Sequence, residues 1–286
     1  MRGRFAAAAA ALLVLGSLTA GCGDRHATGT PPQRAPRAGV EVRELVLPLD
    51  SFALQLPDLT RAQDAEDRLM RTCMARQHLV WTEIRRDPDG SPDRWPNRYR
   101  YGLIETKVAR RFGYHPVPDP ESDRRAAQYN ARQASLSPRQ RLAAYGRDDK
   151  GGCHAEAVKR LMAGVPRSDE DLVDKISADT YRRSRTSTAV THAVRAWNAC
   201  MRHDGFSYAS PEAAADDRGW NTRTPTETEI RTALADVVCK HRSGLVDVWR
   251  KTEAALQRRA IDAHVGAFRT LGEVKFRYLS NVRKSL

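Results

Sequence analysis

Between Leu245 and Val282 apolar residues return at mostly three- and four-residue steps: Leu245, Val248, Trp249, Leu256, Ala260, Val265, Phe268, Leu271, Val274, Tyr278 and Val282. This is the period of an amphipathic helix, apolar on one face and rich in Arg, Lys and Glu on the other, and it predicts one long C-terminal helix. Such a stripe serves a coiled-coil partner or the helix's own domain, and the second use is the commoner.

Upstream, helix starts are marked by caps. Thr60-x-x-Gln63, Ser137-Pro138-x-Gln140 and Thr224-Pro225-x-Glu227 have capping-box spacing, and Ser168-x-x-Asp171 is a weaker version. They open helices over about 61–78, 138–146, 225–242 and 169–203, with further helices at about 102–113 and 152–163. Leu45-Val46-Leu47-Pro48-Leu49 is apolar but broken by proline, which predicts an extended segment laid against the body. Pro-rich stretches at Asp87 to Pro96 and His115 to Pro120 read as irregular connections. Strand signals are scarce. The fold expected is all-α, an irregular helical domain or pair of domains with long loops, closed by the long C-terminal amphipathic helix.

The N-terminus has a different pattern. Arg2 and Arg4 precede an apolar run from Phe5 to Leu15, and Leu18-Thr19-Ala20-Gly21-Cys22 follows with small residues before a cysteine. This looks like a bacterial lipoprotein signal over residues 1–21, in which Cys22 is diacylated and begins the mature chain. Residues 22–39, the lipidated cysteine followed by Gly, Pro, Thr and Arg without apolar period, then read as a disordered tether. Past the signal no apolar run approaches the roughly 18 residues of a membrane span. The expected location is the extracytoplasmic face of the cell membrane, held by lipid.

That compartment sets the meaning of the cysteines. Of Cys22, Cys73, Cys153, Cys200 and Cys239, four remain once Cys22 is acylated, an even number in an oxidising environment. Two disulfides are the default, with three pairings open. An internal repeat narrows them. Cys73-Met74, Leu79 and Trp81 match Cys200-Met201, Phe206 and Tyr208 at identical offsets, and Arg68 matches Arg195. Each copy closes an amphipathic helix and leaves by a bend. Gly205 supplies the flexible turn in the second copy, whereas His78 stands there in the first, so that bend is expected to differ. Each Cys-Met helix is followed by one further cysteine on a helical segment. Two related halves, 40–167 and 168–286, therefore predict Cys73 with Cys153 and Cys200 with Cys239.

The signal, the arginine-rich composition and the Cys-Met motif ending in Gly-Phe-x-Tyr together resemble small exported lipoproteins of actinobacteria, largely of unknown function. The resemblance covers the signal and the two repeat cores, and it carries over no functional residue.

Net charge is +13, or +11 (13 minus 2) without Arg2 and Arg4. It favours anionic neighbours: lipid headgroups, wall polymers or an acidic protein partner. Nucleic acid is not expected, since basic residues are dispersed among acids and no nucleic-acid module is visible. Cys200-x-x-His203 with Cys239-x-His241 is a candidate metal set, although its spacing matches no familiar zinc module and export oxidises cysteines; a disulfide flanked by the exposed His203 and His241 is the plainer reading. Metalloprotease, nucleophile-elbow, acyl-transfer and phosphate-loop motifs are absent from the sequence, and no motif calls for a cofactor. Trp81, Trp95 and Trp220, in or near the irregular connections, could line a wall-glycan or peptide groove or fold back to complete the core. Together these features predict a lipid-anchored, non-enzymatic envelope protein with a binding or adaptor role. An exported hydrolase acting on cell-wall or peptide substrate, and a metal-binding envelope protein, are the alternatives.

Overall fold

Trp197 and Met201 sit on the same face of a helix as Val190 and Ala193, at three- and four-residue steps, and all four are buried. That face nucleates the larger of two helical clusters. The computed structural model describes residues 36–86, 95–169 and 171–286; the signal, Cys22 and most of the predicted tether lie outside them. The described residues form twelve α-helices and three short 3-10 turns, with no strand. None of these helices is long and apolar enough to cross a membrane.

In the larger cluster α8 (Thr188–His203) packs on α10 (Glu227–Ser243) and α11 (Leu245–Ala263), with α7 (Leu172–Arg185) on α11 and α3 (Thr106–Phe112) on α10. The short α9 (Pro211–Ala215) closes against α10, and α1 (Val40–Arg43) adds Val42 to the core, with Leu45 following just after it. In the smaller cluster α2 (Leu56–Arg76) packs on α5 (Pro138–Tyr145) and α6 (Gly152–Leu161), burying Met70, Met74 and Trp81. The two halves of the sequence exchange elements: α3 of the first lies against α10 of the second, and α12 (Val265–Ser285) of the second covers α2 and α6 of the first. The remaining helix, α4 (Pro120–Ser135), is packed closely by no other helix.

Both expected disulfides are present. Cys73 bonds Cys153 and Cys200 bonds Cys239, with Cα atoms 5.5 and 5.6 Å apart. The repeat is closer at the helix exits than expected. In the first copy Leu79 N donates to Met74 O at 3.0 Å; in the second, Phe206 N donates to Met201 O at 2.8 Å. This is the same six-to-one closing bond, made through a left-handed residue: His78 at φ 56° and Gly205 at φ 88°. Histidine thus adopts the conformation its counterpart leaves to glycine, and the predicted difference in the bend is not found. The likeness ends there, because Cys153 lies in the first turn of α6 and Cys239 in the last turns of α10.

Two long helices of the sequence reading are each broken. The 169–203 segment divides into α7 and α8 where Ser187 caps the second helix through Val190 N. The C-terminal helix divides at His264, whose φ of −124° lies outside the helix and whose Nδ1 turns back on Ala260 O at 2.9 Å. The two parts serve different partners. α11 packs on α7 and α8, its Leu245 and Trp249 joining the core of the larger cluster, while α12 packs on α2 and α6, its Tyr278 and Val282 meeting Ala62, Ala65 and Leu161. One straight stripe cannot face both. Helix α4 was not expected; it begins where Asp119 accepts from Ser122 N, ahead of Pro120.

Charged side chains lie deep in this core. Lys240 and Asp236 pair at 2.8 Å, both within 1% of full burial, and Lys240 also donates to Leu103 O. Trp197 donates to the other oxygen of Asp236 at 2.9 Å. Burial pushes the Asp236 carboxyl above the ordinary aspartate value, against the pull of Lys240 and the indole N–H. Glu229, fully buried, accepts from the backbone of Tyr114 and from His115 Nδ1, both at 2.7 Å. It also closes the cap of α10 with Thr226, two residues later than the sequence spacing suggested.

Candidate functional site

The inner face of α4 is Ser122, Arg125, Ala126, Tyr129 and Asn130, a helical i, i+3, i+4, i+7, i+8 set with no aliphatic residue larger than alanine. A helix with that face has nothing with which to complete a hydrophobic contact, so it stands off from α2 and leaves an open cleft of about 400 Å³. The opposite wall is Gln63, Glu66 and Asp67 of α2, with Ile84 and Arg86 from the chain that follows the His78 bend.

Asp67 organises the cleft. One of its oxygens accepts from Trp81 Nε1 at 3.1 Å and Arg132 Nη1 at 2.7 Å; the other accepts from Ile84 N at 3.3 Å and Arg86 Nη2 at 2.8 Å. Burial acts to raise this carboxyl, but the indole N–H and the two arginines outweigh it and hold Asp67 below the usual aspartate value. Arg86 continues to Asp64 and Gln63, so it is fully engaged. Glu66 is different. Half-buried on the cleft wall, its carboxyl is pushed above the ordinary glutamate value by burial, opposed chiefly by His154, whose Nε2 lies 3.6 Å away.

The arginines of α4 are less completely used. Arg132, 8% exposed, lies over the Trp81 ring at 4.3 Å and near Tyr129 at 5.7 Å, and its Nε has no hydrogen-bond acceptor among the described residues. Arg125 Nε is 3.9 Å from Glu121 Oε1, beyond hydrogen-bond length, and both atoms are buried without a hydrogen bond among the described residues. Asp67 has its acceptors filled, whereas the Nε–H groups of Arg125 and Arg132 have no acceptor within hydrogen-bond length among the described residues.

Comparison with protein-family models, curated proteins and solved structures finds no match. The site must therefore be read from its own geometry.

The residues singled out in the sequence lie elsewhere. Cys200 and Cys239 are bonded to each other, and although Asp204 is within 4.8 Å of their sulfurs, a disulfide offers no thiolate to a metal. His203 turns to Asp204 and His241 to Glu41, each at 2.9 Å, so the alternative metal set is not assembled and the disulfide flanked by two exposed histidines is what stands there. Trp81 is buried under Arg132, Trp220 stacks on Tyr114 and donates to Ala214 O, and Trp95 is exposed; none of the three lines the cleft. Cys22 lies outside the described residues. The cleft residues themselves carried one signal that was passed over: Asp119-Pro120-Glu121, a cap, an N1 proline and an acidic first turn, announces α4.

Proposed function

We propose that this chain is a lipid-anchored binding protein of the cell envelope that holds its ligand between α2 and α4. The observation behind this reading is the polar cleft with buried arginine donors left unmatched. A core gap of that kind is costly, whereas a binding site is completed by its ligand. The sequence ending at Cys22 and the resemblance to exported actinobacterial lipoproteins support the location, and the net positive charge suits an anionic envelope surface. In an exporting host, fatty-acid analogue should label the full chain and fail to label Cys22→Ala. Solubilised envelope extract should slow amide exchange across residues 120–135; unchanged exchange there would dismiss the cleft as a binding site.

One observation favours a second reading, an exported hydrolase acting on wall or peptide substrate. Glu66 lies half-buried on the open wall, its carboxyl raised by burial and opposed chiefly by His154 3.6 Å away, which suits a general acid facing the cleft. Under that reading purified protein releases soluble fragments from cell-wall material, and Glu66→Gln abolishes release while leaving binding intact.

A further inference from the structure

Every acceptor that Asp67 offers in the cleft is already taken, by two arginines, an indole and a backbone amide. What remains open on the α4 side is donor capacity. Arg132 is more than nine-tenths buried, lines the cleft, and has its Nε–H unmatched; Arg125 has the same vacancy one heptad earlier. A buried donor without a hydrogen bond is costly, and here two Nε–H groups line one cavity, that of Arg125 lying 3.9 Å from Glu121 Oε1, too far to bond it.

We infer that the ligand of this cleft carries an oxyanion, a carboxylate or a phosphate, received by Arg125 and Arg132. This rests on the reading of the cleft as the binding site. Guanidinium recognises either oxyanion through the same planar donor geometry, so the two share one chemistry. Seven residues of α-helix separate the two arginines, about 10 Å along the axis. The ligand therefore bears further oxygen acceptors beside its charged end, within the 400 Å³ available. Ser122 and Asn130 lie on the same face to meet them.

The test uses the full chain in detergent, titrated calorimetrically at constant ionic strength with glycerol 3-phosphate, citrate and the neutral sugar maltotriose, while the arginine Nε–H resonances are followed by NMR. Binding of glycerol 3-phosphate or citrate is expected to shift the Nε–H signals of Arg125 and Arg132. The tighter of the two anions separates a phosphate from a carboxylate source. Arg125→Gln should weaken binding at least tenfold and Arg125→Lys should recover part of it, since lysine restores the charge without the fork. Arg125 is suited to this because its one ion pair is long, and unchanged circular dichroism verifies that the variant folds. Anion binding undiminished by Arg125→Gln would overturn the inference. Maltotriose binding that slows exchange in residues 120–135, with neither anion bound, would also overturn it while leaving the cleft as the binding site. Silence from all three probes together with flat exchange under envelope extract would remove both.

Discussion

Replacing Lys240 by methionine tests whether the polar centre of the larger cluster is held as a unit. Methionine keeps the length of the side chain and removes only the ammonium. The two partners are 2.8 Å apart and within 1% of full burial, so loss of the ammonium leaves a carboxylate facing protein on every side, with uncharged donors such as the Trp197 N–H beside it. Breaking a buried pair by removing one partner costs about 3–5 kcal/mol. Leu103 O, which accepts from Lys240 at 2.8 Å, loses its donor as well, adding on the order of 1 kcal/mol. Asp236→Asn should cost a similar amount by stranding the ammonium, and the double variant should cost clearly less than the sum, because neither charge is left alone. Urea unfolding with the disulfides intact, followed by circular dichroism, gives each value. There is also a pH signature. The folded state already holds the Asp236 proton more tightly than the unfolded chain, and without Lys240 it does so more strongly. The unfolded state then binds fewer protons, so the stability of Lys240→Met falls as pH rises above the ordinary aspartate value and recovers as pH is lowered towards it. The gap to wild type should narrow from pH 7 to pH 4.5. A penalty below about 1 kcal/mol, or a gap independent of pH, would show that the pair is not the buried, coupled centre described.

Three further outcomes are expected. Replacing either cystine by two serines should lower stability by about 4 kcal/mol for loops of 80 and 39 residues, or roughly 8–16 °C in melting temperature, with additive effects because the loops do not overlap. His78→Gly should raise the urea midpoint, by about 1 kcal/mol of stability, since only His78 of the two equivalent exits bears the steric cost of a left-handed side chain; a loss would mean that the imidazole makes a contact worth more than that strain. His115 faces an acceptor on each ring nitrogen, Glu229 and Thr222 O, and its pKa is raised chiefly by the Glu229 hydrogen bond. Its contribution is therefore fully present below the unfolded histidine value of about 6.5 and lost as pH rises through the folded one. The stability advantage of wild type over His115→Gln should shrink between pH 6 and pH 9, and parallel curves would refute it.

The elements that could be read from the sequence are those whose burial leaves a periodic trace. α8 repeats its apolar residues at helical steps, Ser137 precedes Pro138 and Gln140, and the cysteine pairing follows from the Cys-Met repeat. Helix α4 left no such trace because its inner face is polar, and the cleft exists for the same reason. Nor does periodicity reveal that Asp67, Asp236, Glu229 and Glu253 are buried. A single acid on a helix reads as solvent-facing, and the residues that bury these lie far along the chain: Arg132 is 65 positions from Asp67 and Arg100 is 153 from Glu253. The break at His264 was hidden because histidine is no helix breaker; the turn follows from what each part packs against.

The order of the cystines bears on how such a chain reaches its fold. Cys73 is bonded to the next of the four described cysteines, Cys153, and Cys200 to the next after that, Cys239, so one loop closes before the other opens. In a polypeptide threaded N-terminus first into an oxidising space, an oxidant that joins each thiol to the next one to emerge produces this pattern without a reshuffling step. Of the three pairings four cysteines allow, no other has this property. The same order sets the consequence of losing a single thiol. Without Cys153, the next partner to reach Cys73 is Cys200, and a defect in the smaller cluster would be carried by a wrong covalent bond into the larger one.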